Sequence, residues 1–305
     1  MTARTAAVIA GALAYLARTQ DADGAWSDWT LPPGPSRTWT TAYVGWRLSA
    51  LRPASLPAPD LDRAAVWLRA AVCADGGWGY APATGPDADT TALATAFLRR
   101  RGIASPHGVA RLLAHHQLDG GFATYTRAWN HGAWTNSHLE VTATAVLALS
   151  GEPGVPPEAL QSARRFLRQG RGPDGLWPSY WWTTPLYATE VALACLEPDA
   201  PDLRRRTIGA VVDCHTTSGF ASALQILCLM HLGADDLVRS RCAALRGLQL
   251  PDGSFPSAPV LRLTHRHVVH PWSAADAGPT FADEARTFST ATAVAALAAT
   301  TSGRG

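Results

Sequence analysis

Two kinds of apolar run alternate along the chain. Segments such as RAAVWLRAAV (63–72) and SARRFLRQ (162–169) set apolar residues at helical spacing beside arginines. A second set is almost free of charge: TTAYVGWRL, TTALATAFL, VTATAVLAL, YATEVALACL, ASALQILCLM and STATAVAALA, beginning at Thr40, Thr90, Val141, Tyr187, Ala221 and Ser289. The spacing predicts helices throughout. A helix with one apolar stripe belongs on an outer layer, whereas one that is apolar all round is buried on every side. The pattern therefore predicts an inner and an outer set of helices.

One turn punctuates the alternation. It reads QDADGAW from Gln20, VCADGGW from Val72, HQLDGGF from His116, RGPDGLW from Arg171 and QLPDGSF from Gln249, with a worn sixth copy, HTTSGF, from His215, where Ser218 replaces the aspartate. Glycine supplies a positive φ, aspartate bonds neighbouring backbone amides, and the aromatic ring plugs the gap between successive helix pairs. Six repeats of outer helix, turn and inner helix predict an all-α fold, a six-hairpin α/α toroid with a central cavity, in one domain spanning 1–305. The proline-rich connectors LPPGPS (31–36), PASLPAP (53–59) and GEPGVPP (151–157) then fall between helices.

Composition narrows the function classes. The chain has 305 residues, 47% of them hydrophobic and 16% charged, enough to bury a large core. Its 26 basic residues, all arginine, nearly balance 24 acidic ones, leaving +2, no field that recruits nucleic acid by itself. Five scattered cysteines, Cys73, Cys195, Cys214, Cys228 and Cys242, have the apolar surroundings of reduced buried thiols, so a cytoplasmic protein is expected. The opening TAAVIAGALAYLA runs straight into a polar turn and is expected to be a core helix; no stretch approaches the ~20 apolar residues of a membrane span.

The segment GGWGYAPATGPDADTTALATAFL (76–98) carries candidate chemistry, because Asp87, Asp89 and Thr90 immediately precede an uncharged helix. Alone, such a sequence is an ordinary helix cap.

The turn sequence Q-x-x-D-G-x-W resembles the repeat of the squalene-hopene cyclase and protein prenyltransferase superfamily, over nearly the whole chain. Within that superfamily GGWGY, six residues and DADTTA resemble the G-G-W-aromatic segment and D-x-D-D motif of class II terpene cyclases. The D-x-D-T-T form, with Thr90 in place of the third aspartate, is most similar to drimenyl diphosphate synthases built from the β domain. DGLWPSYWWTTPLYATEVAL (174–193) resembles a second cyclase segment, which places Trp181 and Tyr187 on an active-site wall. Thr144 stands where hopene cyclases have the histidine that assists the acid. The resemblance implies protonation-initiated cyclisation of a linear isoprenoid, with farnesyl diphosphate and a bicyclic drimane-type product expected. A single toroid favours a short substrate, unless a protein partner or a second copy of the chain supplies a missing wall.

That chemistry needs an acid that keeps its proton in a dry cavity; Asp89 is the expected donor, with Asp87 and Thr90 orienting the proton. Trp181, Trp182, Tyr187, Trp39 and Trp129 are candidates to face the carbocation. Arg262, Arg266, His265, Arg37 and Arg127 are candidates for holding a diphosphate, as are His131, His267, His270 and Arg286. No cofactor is required for the protonation; Mg²⁺ on Asp283 and Glu284 would serve only a diphosphate. Two other readings stand beside the cyclase: a toroid that binds a hydrophobic ligand or protein without catalysis, and a zinc-dependent prenyltransferase-like enzyme built around Asp213, Cys214 and His215.

Overall fold

The computed structural model describes residues 2–51, 59–197, 200–216 and 218–300. The connector expected at 53–59 lies almost wholly outside the described residues, as does the side chain of Trp129. The outer helices are α1 (Ala3–Arg18), α3 (Leu61–Ala70), α5 (Pro106–Leu113), α7 (Pro157–Gln169), α9 (Pro201–Asp213) and α11 (Asp235–Gly247). The inner ones are α2 (Arg37–Leu48), α4 (Ala88–Arg100), α6 (Leu139–Leu149), α8 (Leu186–Cys195), α10 (Gly219–His231) and α12 (Thr287–Ala299). In α7 only Ala159, Ala163 and Leu167 are buried, one stripe four residues apart, whereas α4 buries everything from Thr90 to Leu98. Each inner helix packs on the next and α12 returns to α2, closing the ring. Small residues permit the close approach: a Cβ on Gly45 of α2 would come within 2.5 Å of the Phe97 ring on α4. The apolar opening segment forms α1, which packs on α12. No helix among the described residues is long and apolar enough to cross a membrane.

The repeated turns join outer to inner helices by a set of recurring bonds. The indole N–H groups of Trp26, Trp78 and Trp177 donate to the carbonyls of Leu16, Leu68 and Leu167, at 2.9, 2.7 and 2.7 Å, satisfying orphan acceptors at the ends of three outer helices. The backbone N–H of Trp26, Trp78, Phe122, Trp177 and Phe255 each donates to a threonine hydroxyl in the following inner helix: Thr41, Thr91, Thr142, Thr189 and Thr290. The glycine that follows the aspartate in each of these five turns has φ between 80° and 100°. The worn sixth copy is not such a turn. Ser218 caps α10, accepting from the Ala221 N–H at 3.0 Å, and Gly219 is the first helical residue. Gln225 instead reaches back to the Val211 carbonyl at the end of α9.

Three small strand pairs, which the helical pattern did not foreshadow, lie in the loops before inner helices: β1 (Thr30–Leu31) with β2 (Gly34–Pro35), β3 (Phe122–Ala123) with β4 (Ser137–His138), and β5 (Pro259–Arg262) with β6 (Thr280–Ala282). The β5 strand is stitched to the loop before α8, where Thr183 N–H donates to Val260 and Arg262 N–H to the Trp181 carbonyl. The first turns of the inner helices converge at this end of the bore. On and beside those first turns aromatic rings fill it: Tyr43 and Phe288 stack at 3.7 Å, and Trp182 contacts Tyr187, Phe220 and Phe288 at 4.7 to 5.3 Å. Deeper still, Arg47 of α2 reaches Glu190 on the opposite helix α8, with N···O distances of 3.1 and 2.8 Å.

Candidate active site

The first turn of α4 separates its two carboxylates. Asp87 has extended backbone and caps the helix, one oxygen accepting from the Thr90 N–H at 2.7 Å and the other from the Thr90 hydroxyl at 2.9 Å. Its neighbour Thr91 is pinned to the Trp78 turn, and Ala88 N–H donates to the Thr124 carbonyl. With Asp87 spent as the cap, Asp89 projects into the cavity. Its Oδ2 accepts from the Trp39 indole N–H at 2.8 Å, while Oδ1 has no hydrogen-bond partner. Thr90 therefore orients Asp87 and not the expected donor; the side chain that orients Asp89 is Trp39, fifty positions away and foreseen only as a wall.

Burial raises both acids. Asp87 is pushed up to about 7 by burial, against its bond from the Thr90 amide and with a further push from the nearby Asp89. Asp89 is pushed up to about 6 by burial, opposed by the bond from Trp39. Asp89 is nonetheless half-buried by surface area, because the space it faces is the cavity itself.

The cavity has a volume of about 730 Å³, in the usual range of ligand sites, roughly 300–1,000 Å³. Aromatic faces dominate it. Of the residues proposed to face the cation, Trp39, Trp181 and Trp182 line it, and Tyr80, Tyr125 and Trp134 join them. Tyr80 belongs to the GGWGY segment, so its position was available from the motif; Tyr125 and Trp134 come from the excursion between β3 and β4, which no repeat marks. Tyr187 does not reach the cavity and packs behind Trp182, fully buried.

The basic candidates scatter. Arg266 is exposed at the cavity rim, its guanidinium 4.9 Å from the Trp134 ring centre. Arg262 also lines the cavity, but its guanidinium donates to the Trp182 and Pro271 carbonyls and holds the β5 loop to the α8 loop. His265 faces Asp276 at 3.4 Å and is not part of the lining. Arg37 lies outside, paired with Asp21 and Asp23 at 2.8 Å, and Arg286 likewise pairs with Asp252. Arg127 is exposed on a short 3₁₀ turn and contributes no lining atom. His131 lines the rim beside Tyr125 and Trp134.

The metal candidates do not fit a metal. Asp283 is buried and occupied by the Ser257 hydroxyl and the Ser289 N–H, and Glu284 lies outside with Thr30. Burial, then Asp174 and Asp213, push the Cys214 thiol up to about 11. Among the described residues no three His, Cys, Asp or Glu side chains are grouped to hold a metal. The Thr144 hydroxyl bonds back to the Glu140 carbonyl at 2.7 Å. Glu140 itself, which the sequence did not single out, holds the Trp181 wall: one oxygen accepts from the Tyr180 and Trp181 N–H groups at 2.6 and 2.7 Å.

No protein-family model matches the chain. Two drimenyl diphosphate synthases are similar to it: that of Streptantibioticus cattleyicolor is 33% identical over 144 residues, 44% of this chain and 26% of the relative. That of Streptomyces showdoensis is 30% identical over 183 residues, 56% of this chain and 32% of the relative. The chain thus matches about a quarter to a third of the length of these curated relatives. Among solved structures, the type II terpene cyclase MstE from Scytonema superposes with a TM-score of 0.83 at 24% identity, covering 97% of each chain. A variant of that cyclase has been solved with its substrate, geranylgeranyl dihydroxybenzoate. The α/α toroid described above is the fold of these cyclases.

Proposed function

We propose that this chain, as one α/α-barrel domain spanning 1–305, is a class II terpene cyclase that protonates the terminal alkene of a linear isoprenoid and folds it into rings. One observation carries the reading: an acid on an inner-helix first turn that lines an aromatic cavity, with one oxygen held by an indole N–H and the other without a hydrogen-bond partner. An indole can only donate, so it fixes Oδ2 as the acceptor and leaves Oδ1 to carry the proton. In the reaction the Oδ1–H bond breaks as a C–H bond forms at the alkene terminus. The internal double bonds then attack in turn, moving the positive charge along the chain. The faces of Trp39, Trp181 and Trp182 stabilise it by about 0.5 to 2 kcal/mol each without supplying a nucleophile. Burial keeps the donor protonated beforehand, and the Trp39 bond together with the α4 N-terminus steadies the carboxylate left behind.

The similarity to drimenyl diphosphate synthases supports farnesyl diphosphate as substrate and a drimane bicycle as product. A second reading of the head group rests on the rim. Arg266 is the exposed guanidinium of the lining, Arg262 being tied to carbonyls, and it stands among Tyr125, His131 and Trp134. Such a rim suits an aromatic head group bearing one negative charge, as in the prenylated dihydroxybenzoate bound by the solved neighbour. Incubation with C10, C15, C20 and C30 isoprenoids, carrying diphosphate or hydroxybenzoate heads, followed by mass spectrometry decides both. Cyclised product that vanishes with Asp89→Asn is expected; substrate bound but recovered unchanged by the wild type supports the non-catalytic toroid.

A further inference from the structure

A cyclase must also end the cascade by removing a proton or admitting water, and the cavity wall contains a hydroxyl with a buried base behind it. Thr124 lines the cavity beside the start of α4. Its Oγ1 lies 3.0 Å from the Trp181 indole nitrogen and 3.0 Å from His138 Nδ1. His138 Nε2 lies 3.1 Å from the Ala133 carbonyl oxygen.

Both ends of this row fix the protons between them. The indole only donates and the carbonyl only accepts, so His138 carries its proton on Nε2, its Nδ1 lone pair accepts from the Thr124 hydroxyl, and Thr124 accepts from Trp181. One lone pair of Thr124 Oγ1 is left over, on a residue that lines the cavity. His138 is buried and lies parallel to the Tyr180 ring at 3.8 Å; burial pushes it down to about 3, so it stands neutral.

We infer that Thr124 takes the proton that ends the cyclisation, handing its own to His138. The C–H bond next to the last cationic carbon breaks and its electron pair becomes the new double bond. That proton goes to Thr124 Oγ1 while the hydroxyl proton goes to His138 Nδ1. After product leaves, the imidazolium, disfavoured by burial, returns the proton through Thr124 to water. The Trp181 bond holds this hydroxyl at the edge of the ring that faces the cation.

This inference rests on the cyclase reading, and the test separates the two. With an isoprenoid that the wild type cyclises, alkene and alcohol products are quantified by gas chromatography and mass spectrometry, as a ratio per substrate consumed, so changes in total turnover cancel. Thr124→Val and His138→Phe are expected to lower the alkene-to-alcohol ratio at least about tenfold, and Thr124→Ser to restore it; Thr124→Ala serves if the valine variant is not folded by circular dichroism. A folded Thr124→Val or Thr124→Ala with the wild-type ratio, or a wild type that yields alcohol alone, overturns the inference. Absence of any cyclised product from the wild type instead overturns the cyclase reading.

Discussion

Asp89 and Glu190 are both carboxylates on inner helices, both remote from bulk water, and they titrate in opposite directions. Asp89 faces open space with a single neutral donor, and burial lifts it to about 6. Glu190, across the bore and deeper, is raised by burial, but the attraction and hydrogen bonds of the Arg47 guanidinium and of His231 together outweigh it and draw it down to about 2. The same ring thus holds one acid drawn up toward neutrality and another that never carries a proton there. What decides is the charge of the partner, not depth.

The largest expected effect breaks the first member of that pair. Asp89→Asn should lower product formation at least about a hundredfold while thermal denaturation stays close to wild type; undiminished product would remove Asp89 from the donor's role. Arg47→Met should do the reverse. Urea unfolding should show a loss of about 3–5 kcal/mol from the buried unpaired glutamate, most of it recovered in Arg47→Met/Glu190→Leu. A single variant as stable as the wild type would mean that the pair does not hold the bore shut.

Trp39→Phe sharpens the contrast, because it keeps an aromatic wall and removes only the donor to Oδ2. Turnover should fall about tenfold, the scale of one hydrogen bond to a charged group, and the pH midpoint of turnover should rise above that of the wild type, since the bond favours the carboxylate. For the wild type, turnover should be level below pH 6 and decline as pH rises through about 6, where Asp89 loses its proton. Stability should respond at the other end of the scale. Glu190 is depressed from 4.5 to about 2, so its contribution is complete above 4.5 and lost as pH falls toward 2. A wild type that loses no stability relative to Arg47→Met/Glu190→Leu as pH falls from 4.5 toward 2 would contradict this assignment. The smallest effect is expected at Arg37→Ala: an exposed pair worth at most about 1 kcal/mol, with an unchanged Michaelis constant.

The toroid was legible because its bonds are short-range and repeated: a tryptophan N–H reaches ten residues back, and a threonine in the next helix accepts from the same turn. The D-x-D-T-T cap was legible for the same reason. What the sequence hid depends on which inner helices face each other across the bore. Trp39 meets Asp89 only because α2 and α4 are neighbours with converging first turns, and Arg47 finds Glu190 only because α2 and α8 are opposed. Arg262 reads as a free cation in a basic segment, yet the unforeseen β5–β6 hairpin turns it inward onto two carbonyls. Tyr187 follows the cyclase pattern in register, but Trp182 stands in front of it.

The stacked rings above Arg47 and Glu190 fill the bore behind the cavity, and Arg266 stands at the cavity's rim. Traffic then has an order: the hydrocarbon tail goes in first and the head group stays at the rim. On the cyclase reading a flexible chain enters past that rim, but the fused rings it would become must leave as one rigid body. Release, rather than bond formation, would then set the pace of each cycle, and the width of the rim would govern it.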